Sequence, residues 1–111
     1  MKGITMIDTS EMTYLGSFMV DSGQAMIGDP CYLDEWQAQY EDFNDYPNQK
    51  GKYSYLGACE ATITNNHGVL AEGRGVVFSS GYGDGVYPVY AKFNDEGRVA
   101  QIVIDFIGDE E

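Results

Sequence analysis

Short apolar runs separated by turn-forming residues make up most of this chain, and this pattern predicts strands. Residues 14–20 are apolar and aromatic, residues 21–23 read Asp-Ser-Gly, and apolar residues resume over 24–27. Two apolar runs separated by a short turn signal are typical of a β-hairpin. We therefore expect residues 14–27 to form a hairpin.

In one segment the hydrophobic residues recur at helical spacing. Leu33, Trp36, Tyr40 and Phe43 are spaced three or four residues apart, with polar residues between them. This spacing places the four side chains on one face of a helix, so an amphipathic helix is predicted over 33–43. Asp34 with Gln37 provides a capping-box start, while Asp29 followed by Pro30 is a competing start.

The rest of the chain favours strands. The predicted strands cover residues 55–64, 69–72, 76–79, 86–93 and 98–107. Asn65-Asn66-His67-Gly68 provides the positive φ angles of a hairpin turn, and residues 94–97 provide a second turn. Residues 73–75 read Gly-Arg-Gly and predict a bulge or a break.

The last hairpin allows a prediction of register. A four-residue loop would pair Phe93 with Arg98, and one face of the hairpin would then be apolar and form part of the core. That face comprises Tyr87, Val89 and Ala91 with Ala100, Ile102 and Ile104. Pro88 has no N–H to donate, so its strand is expected to be an edge or to contain a bulge there.

Together these elements predict a mainly β (α+β) fold. We expect an antiparallel β-sandwich or partly open barrel with one amphipathic helix packed on it. With 111 residues, the chain has room for one domain, which we place at residues 14–111 after an N-terminal arm, residues 1–13. Hydrophobic residues make up 43% of the chain and aromatic residues 14%, which excludes a disordered protein.

The net charge of the chain limits the classes of molecule that it can bind. Six Lys and Arg oppose 18 Asp and Glu, giving a net charge of −12, and the basic residues are scattered. Such a field repels nucleic acid and anionic membranes, although acidity also serves solubility alone. The chain has no signal-peptide pattern and no apolar run of membrane-spanning length, and its two cysteines, Cys31 and Cys59, form no framework. We expect a cytoplasmic protein with reduced thiols.

The densest run of unusual residues is Gly81-Tyr82-Gly83-Asp84-Gly85-Val86-Tyr87-Pro88-Val89-Tyr90. Three glycines this close indicate a backbone that needs positive φ or the close approach of another group. A strand follows them, which does not match the glycine loops that hold phosphates. We predict an exposed recognition tip whose binding residues are Tyr82, Asp84, Tyr87 and Tyr90, with the Asp84 carboxylate holding the bend in shape. A plain hairpin with a tyrosine-rich surface is the alternative.

Several segments resemble one family, DUF4241, a group of small bacterial and phage proteins with no assigned activity. The likeness covers about residues 20–106, and the turn at 95–98 reads Asp-Glu-Gly-Arg where the family has a D-G-R-like turn. The segments are Val20-Asp21-Ser22-Gly23-Gln24, Asp29-Pro30-Cys31-Tyr32, the run from Ser79 to Tyr90, Gly97-Arg98, and Val103-Ile104-Asp105-Phe106. The resemblance implies a cytoplasmic protein of a bacterium or of a phage-infected host, and it implies no reaction.

Three groups of residues could carry chemistry, and each also has a structural interpretation. A convergent set of carboxylates (Asp21, Asp29, Asp84 and Asp105) could bind a divalent cation, but Asp beside Gly more often bonds its own turn. Glu60 with Asp84 or Asp105 could divide acid and base roles. His67 would need Ser22, Ser79 or Ser80 as a nucleophile, and no nucleophile-elbow motif occurs.

Cys31 follows a predicted helix start, where a thiol can be activated, but burial is the commoner role of a lone cysteine. We therefore predict no catalytic residue, no metal site and no cofactor. The function predicted is a small acidic binding module, non-enzymatic, with an unidentified protein partner and an undetermined oligomeric state. The alternatives are a carboxylate- or metal-dependent hydrolase of a small molecule, or a phage-encoded acidic inhibitor that mimics nucleic acid.

Overall fold

The structure is a computed structural model that describes residues 7–37 and 49–107. Its contacts divide the chain into two compact units. Unit 1 contains the chain up to Gly23 and the chain from Ser80 onwards, while unit 2 is the segment Gln24–Ser79 between them. The single domain expected over residues 14–111 stays a prediction.

Unit 1 contains a three-stranded antiparallel sheet. Its strands are β1 (Thr13–Val20), β5 (Gly85–Phe93) and β6 (Val99–Ile104), in the order β1-β5-β6. One face carries Phe18, Tyr87 and Phe106, whose rings pack edge to face or tilted with centroids 5.0 to 6.4 Å apart. This aromatic cluster is where the sheet of unit 1 buries its apolar surface.

The β5–β6 hairpin was predicted, but its register was wrong by two residues. Val89 pairs with Ile104 and Ala91 with Ile102, whereas the prediction paired them with Ile102 and Ala100. Asn94 N–H donates to the Arg98 carbonyl, so the loop is one residue shorter than expected, and a bulge at Lys92/Phe93 adds one more residue of shift. A shift of two preserves the faces, because side chains alternate along a strand.

The expectation that the strand of Pro88 is an edge was also wrong, because β5 is the central strand. Asp105 N–H donates to the Pro88 carbonyl, so Pro88 turns its backbone polar groups toward β6. The N–H that proline lacks would point the same way, at the position where the β6 ladder ends. The sheet therefore tolerates Pro88 by ending β6 beside it.

Unit 2 contains the second sheet and the helix. The strands β2 (Gln24–Gly28), β3 (His67–Leu70) and β4 (Gly75–Ser79) form an antiparallel sheet in the order β2-β4-β3. The helix α1 (Tyr55–Asn65) packs against β3 and β4. Tyr53, Ala58, Leu70 and Val77 form its buried apolar cluster.

The hairpin predicted over residues 14–27 does not form. Its two strands belong to different sheets, since β1 pairs with β5 and β2 pairs with β4. The turn signal was correct, because Gly23 has φ 73°. Its carbonyl, however, accepts a hydrogen bond from Ser80 N–H instead of closing a hairpin, so long-range pairing overrides the local signal.

The helix predicted over 33–43 is wrong in its described part, and residues 38–43 lie outside the described residues. A short 3₁₀ helix covers Pro30–Glu35, and the Asp29 carboxylate caps it by accepting from Cys31 N–H at 2.9 Å. Trp36 is already extended and packs its ring on Tyr53 with centroids 5.0 Å apart. The competing start at Asp29-Pro30 was therefore correct, but it begins a 3₁₀ helix of only six residues.

The strand predicted over 55–64 is instead α1. Ser54 caps its N-terminus by accepting from Gly57 N–H at 3.0 Å, and Asn66 ends it in the left-handed conformation at φ 69°. Thr62 disfavours a helix by its branching, but its hydroxyl bonds the Ala58 and Cys59 carbonyls. The positive φ predicted near residue 66 is thus present as a helix cap, which is a role that asparagine takes readily.

The predicted fold class is confirmed, although a segment predicted as a strand forms the helix and the described part of the predicted helix is not α-helical. The described strands form two open antiparallel sheets and do not close a barrel, and the α-helix α1 belongs to unit 2. Among the described residues, no helix has the length and apolar character that a bilayer crossing requires.

Candidate functional site

The bend, residues 80–84, connects β4 to β5 and has a fixed backbone. Gly81 and Gly83 have φ 58° and 115°, values that L side chains rarely adopt. Gly83 N–H donates to the Ser80 carbonyl at 2.8 Å, and the Ser80 hydroxyl donates to the Gly83 carbonyl at 2.9 Å. Ser80 and Gly83 are therefore joined by two hydrogen bonds, one backbone and one side chain.

The Tyr87 side chain stabilises the bend through its hydroxyl. Its side chain is 9% exposed, and its hydroxyl lies 3.2 Å from the Ser80 carbonyl and 2.5 Å from the Gly83 carbonyl. The Tyr87 ring is itself fixed by Phe18 and Phe106. The conformation of the bend is thus tied to the aromatic cluster of unit 1.

Close packing restricts Gly81 as well. A Cβ at this position would lie 3.1 Å from Phe106 Cβ and from Ile107 Cδ1, closer than side-chain carbons usually approach. Its positive φ and this contact both favour glycine at position 81.

Tyr82, at the tip of the bend, points into solvent and is 87% exposed. Two further apolar side chains at the same end of the sheet are exposed, Met19 at 83% and Val86 at 65%, and they are direct cross-strand partners. Large apolar side chains exposed together are more informative than a scattered one. Tyr82, Met19 and Val86 are called the apolar tip below.

The same sheet face continues away from the bend. Val86 alternates with Pro88 and Tyr90 along β5, and their partners on β1 are Met19, Ser17 and Tyr14. Tyr90 is half-buried because its ring meets that of Tyr14 edge-on, with centroids 5.9 Å apart. The face opposite the aromatic cluster is therefore mostly apolar and aromatic near the bend, with Ser17 on β1 and Lys92 further along β5 as its polar residues.

The four residues predicted to bind have three different environments. Tyr82 is on the tip, and Tyr90 is on the face that continues from it, but Tyr87 is on the buried face. Asp84 is exposed, and within residues 7–37 and 49–107 no hydrogen bond reaches its carboxylate. The Ser80 and Tyr87 hydroxyls therefore hold the bend, a role that the sequence analysis had assigned to Asp84.

The hydroxyl of Ser80 was missed by sequence reasoning, although a signal for it exists. Serine before a turn commonly bonds the backbone of that turn, and Ser80 directly precedes Gly81. Ser80 is fully buried here, as expected of a polar group whose bonds are satisfied within the protein.

Candidate metal and catalytic residues occur in both units. Among the described residues, no three His, Cys, Asp or Glu side chains are grouped so that they could hold a metal ion. Glu60 belongs to unit 2, while Asp84 and Asp105 belong to unit 1. His67 is exposed at the start of β3, and the Ser79 hydroxyl donates to the Asn66 side chain at 3.3 Å.

The cysteines and the perturbed charges also lie away from the bend in sequence. Cys31 is exposed, Cys59 is half-buried, and neither forms a disulfide. Hydrogen bonds from the backbone and side chain of Ser10 hold the pKa of Asp8 below its usual value. The hydrogen bond and charge of Glu35 raise the pKa of Arg74, which also lies over the Tyr32 ring at 5.1 Å.

An open cleft occurs among the described residues of each unit. The cleft of unit 1 has a volume of about 240 Å³ and is lined by residues that include Asp8, Glu11 and Lys92. The cleft of unit 2 has about 410 Å³ and lies beside α1 and β3, with Lys50 and Glu60 in its wall. Both are shallow, and neither includes a residue of the bend.

Comparison with known proteins agrees with the resemblance seen in the sequence. A family model described as "Protein of unknown function (DUF4241)" matches residues 5–104. No curated protein and no solved structure matches the chain.

Proposed function

The chain belongs to the DUF4241 family, whose description assigns no activity, and from its geometry we propose a non-enzymatic module that binds a protein partner through the apolar tip. The observation that carries the proposal is Tyr82. Its ring is 87% exposed on a backbone that hydrogen bonds of Ser80, Gly83 and Tyr87 hold in place.

A rigidly presented aromatic side chain is suited to recognition. Aromatic residues dominate the energetics of protein interfaces because they bury a large area with few rotatable bonds. A fixed backbone lowers the entropy lost when a complex forms. Tyr82 is the proposed anchor, the exposed Met19 and Val86 are the proposed further apolar contacts, and Asp84 is the proposed polar contact.

Charge indicates the chemistry of the partner. A protein with a net charge of −12 attracts basic surfaces over a distance of about a Debye length and repels acidic ones. The partner proposed is therefore a protein that surrounds an apolar pocket with Lys and Arg. We place the module in the cytoplasm of a bacterial or phage-infected cell, where Cys31 and Cys59 would stay reduced.

Comparative affinity capture tests the proposal. The wild-type chain and the Tyr82→Ala variant are used as baits in a host lysate. The control bait is Ile63→Ala, which removes an exposed apolar side chain of α1 instead of the one in the bend. We expect one protein that wild type and Ile63→Ala retain and that Tyr82→Ala loses. With that protein purified, Tyr82→Ala should weaken binding by a factor of 30 or more, corresponding to about 2 kcal/mol.

Two further measurements separate the proposed contact from a general loss of structure. Tyr82→Phe keeps the ring and should keep most of the affinity, and the far-ultraviolet circular dichroism of all variants should be unchanged. Affinity should fall as NaCl increases, because the steering charges are screened. If Tyr82→Ala and Ile63→Ala retain the same proteins equally, the tip is not a binding surface.

A further inference from the structure

The strand β6 has one edge without a partner strand in the described part of the chain. It pairs with β5 on one side only, and Val99 and Ile102 are 55% and 47% exposed. Its six residues read Val-Ala-Gln-Ile-Val-Ile, with no charge, no proline and no glycine. Natural edge strands usually carry charge, proline or a bulge to prevent pairing with another chain, and β6 has only the bulge at its start, opposite Lys92/Phe93. We propose that β6 pairs with β6 of a second copy of this chain.

The backbone pattern shows which groups are available at this edge. Asp105 N–H donates to Pro88, and the ladder continues with Val103 opposite Tyr90 and Gln101 opposite Lys92. These residues turn their backbone polar groups toward β5. Because the direction alternates along a strand, Ile102 and Ile104 turn their N–H and C=O groups outward. Each copy thus offers two donors and two acceptors at the edge.

One register satisfies these groups with two-fold symmetry. A symmetric antiparallel pair must place one residue opposite itself, and centring it on Val103 pairs Ile102 with Ile104 of the second copy. Four interchain hydrogen bonds form, and the sequence Ile102-Val103-Ile104 reads the same in both directions. The β1-β5-β6 sheets of the two copies join into one six-stranded antiparallel sheet.

Charge is compatible with a second copy in this register. No charged residue lies within Val99–Ile104, so pairing places no carboxylates opposite each other along the strand. At its ends, Asp105 lies opposite Gln101 of the second copy, whose neighbour on β5 is Lys92. The acidic residue of one copy therefore approaches an amide of the other, beside a cleft that holds Lys92 together with Asp8 and Glu11, and no carboxylate lies directly opposite it.

Sedimentation and a cysteine pair test the proposal on the full chain. Wild type should shift with concentration toward twice the 12.3 kDa of one chain, and Ile102→Lys should weaken dimerisation by about tenfold or more. In a Cys31→Ser background, Val103→Cys should form a disulfide dimer under oxidised glutathione, because directly opposed residues have Cα atoms about 4.5 Å apart. The matched change Gln101→Cys should not, since its Cα atoms would lie about 13 Å apart.

Each of these experiments can contradict the proposed pairing of β6 with a second copy. A monomer at every concentration, or equal cross-linking of the two cysteine variants, would overturn the proposed pairing and leave the edge to a different partner strand. Circular dichroism reports whether Ile102→Lys is folded, and if it is not, the cysteine pair decides. Loss of the Tyr82 contact would leave these results unchanged, so this inference is independent of the proposed function.

Discussion

Tyr82 and Tyr87 lie five residues apart, and their environments differ because of strand alternation and the bend. Tyr87 is on the buried face of β5, where its ring meets Phe18 and its hydroxyl reaches the bend. Tyr82 is outside any strand, and no core surface covers it. At the scale of single residues, one tyrosine fixes the shape that presents the other.

We expect Tyr87→Phe to lower the free energy of unfolding by about 1 kcal/mol, the usual contribution of one buried hydrogen bond. The cost stays near this value because the Ser80 and Gly83 carbonyls each keep another hydrogen bond. Urea denaturation followed by circular dichroism measures the change. Tyr90→Phe is the matched control, since within the described residues the Tyr90 hydroxyl has no hydrogen bond to lose, and a cost equal to that of Tyr87→Phe would contradict the assignment.

At the scale of elements, α1 depends on a close backbone approach at Gly57. A Cβ on Gly57 would lie 2.1 Å from the Lys52 carbonyl oxygen and 3.1 Å from the Gln49 carbonyl oxygen. Both neighbours are backbone atoms and cannot move as a side chain can. The first turn of α1 therefore packs against residues 49–52 only because this residue is glycine.

Gly57→Ala should destabilise the protein by about 2 kcal/mol or more, although alanine usually stabilises a helix interior by about 1 kcal/mol relative to glycine. The sign is reversed because the methyl group meets fixed backbone. Thermal and urea denaturation measure it. Ile63→Ala is the control on the exposed side of α1 and should change stability by no more than about 0.5 kcal/mol. A stabilising Gly57→Ala would disprove the close packing.

The elements also show which sequence signals were reliable. Alternation located β4, β5 and β6 and the buried face of β5, because each has turn residues at its ends and one apolar face. Branched and aromatic residues made α1 resemble a strand, and what decided for a helix was the Ser54 cap and the fit of Gly57. The helical spacing of Leu33 and Trp36 failed because Trp36 packs on Tyr53, a contact that spacing does not reveal.

The candidate site was predictable only where local sequence signals determine the structure. The glycines of the bend and the exposure of Tyr82 followed from local chemistry, whereas the environment of Tyr87 depended on strand alternation. The hairpin prediction placed Tyr87 with Val89 and Ala91 on the core face, and this predicted its burial correctly. Its closeness to Tyr82 in sequence wrongly suggested an exposed side chain. The pairing of β1 with β5 joins distant segments, and no local pattern indicated it.

At the scale of the whole molecule, the dominant feature is the net charge of −12. Only two ion pairs occur between described residues, and both are at the surface, where each contributes little. Unbalanced carboxylates repel one another in the compact state, so their repulsion opposes folding. Screening that repulsion should stabilise the protein more than it weakens the two ion pairs.

We therefore expect the melting temperature to rise when NaCl increases from about 20 mM to about 300 mM, as the Debye length falls below about 10 Å. Differential scanning fluorimetry measures the shift, and KCl at the same concentration is the control, because general screening does not depend on which monovalent cation is present. MgCl₂ and CaCl₂ at matched ionic strength should give a shift similar to that of NaCl. A clearly larger shift with one divalent cation would show binding to the folded state, by mass action, and would favour the metal-dependent alternative over the binding module proposed here.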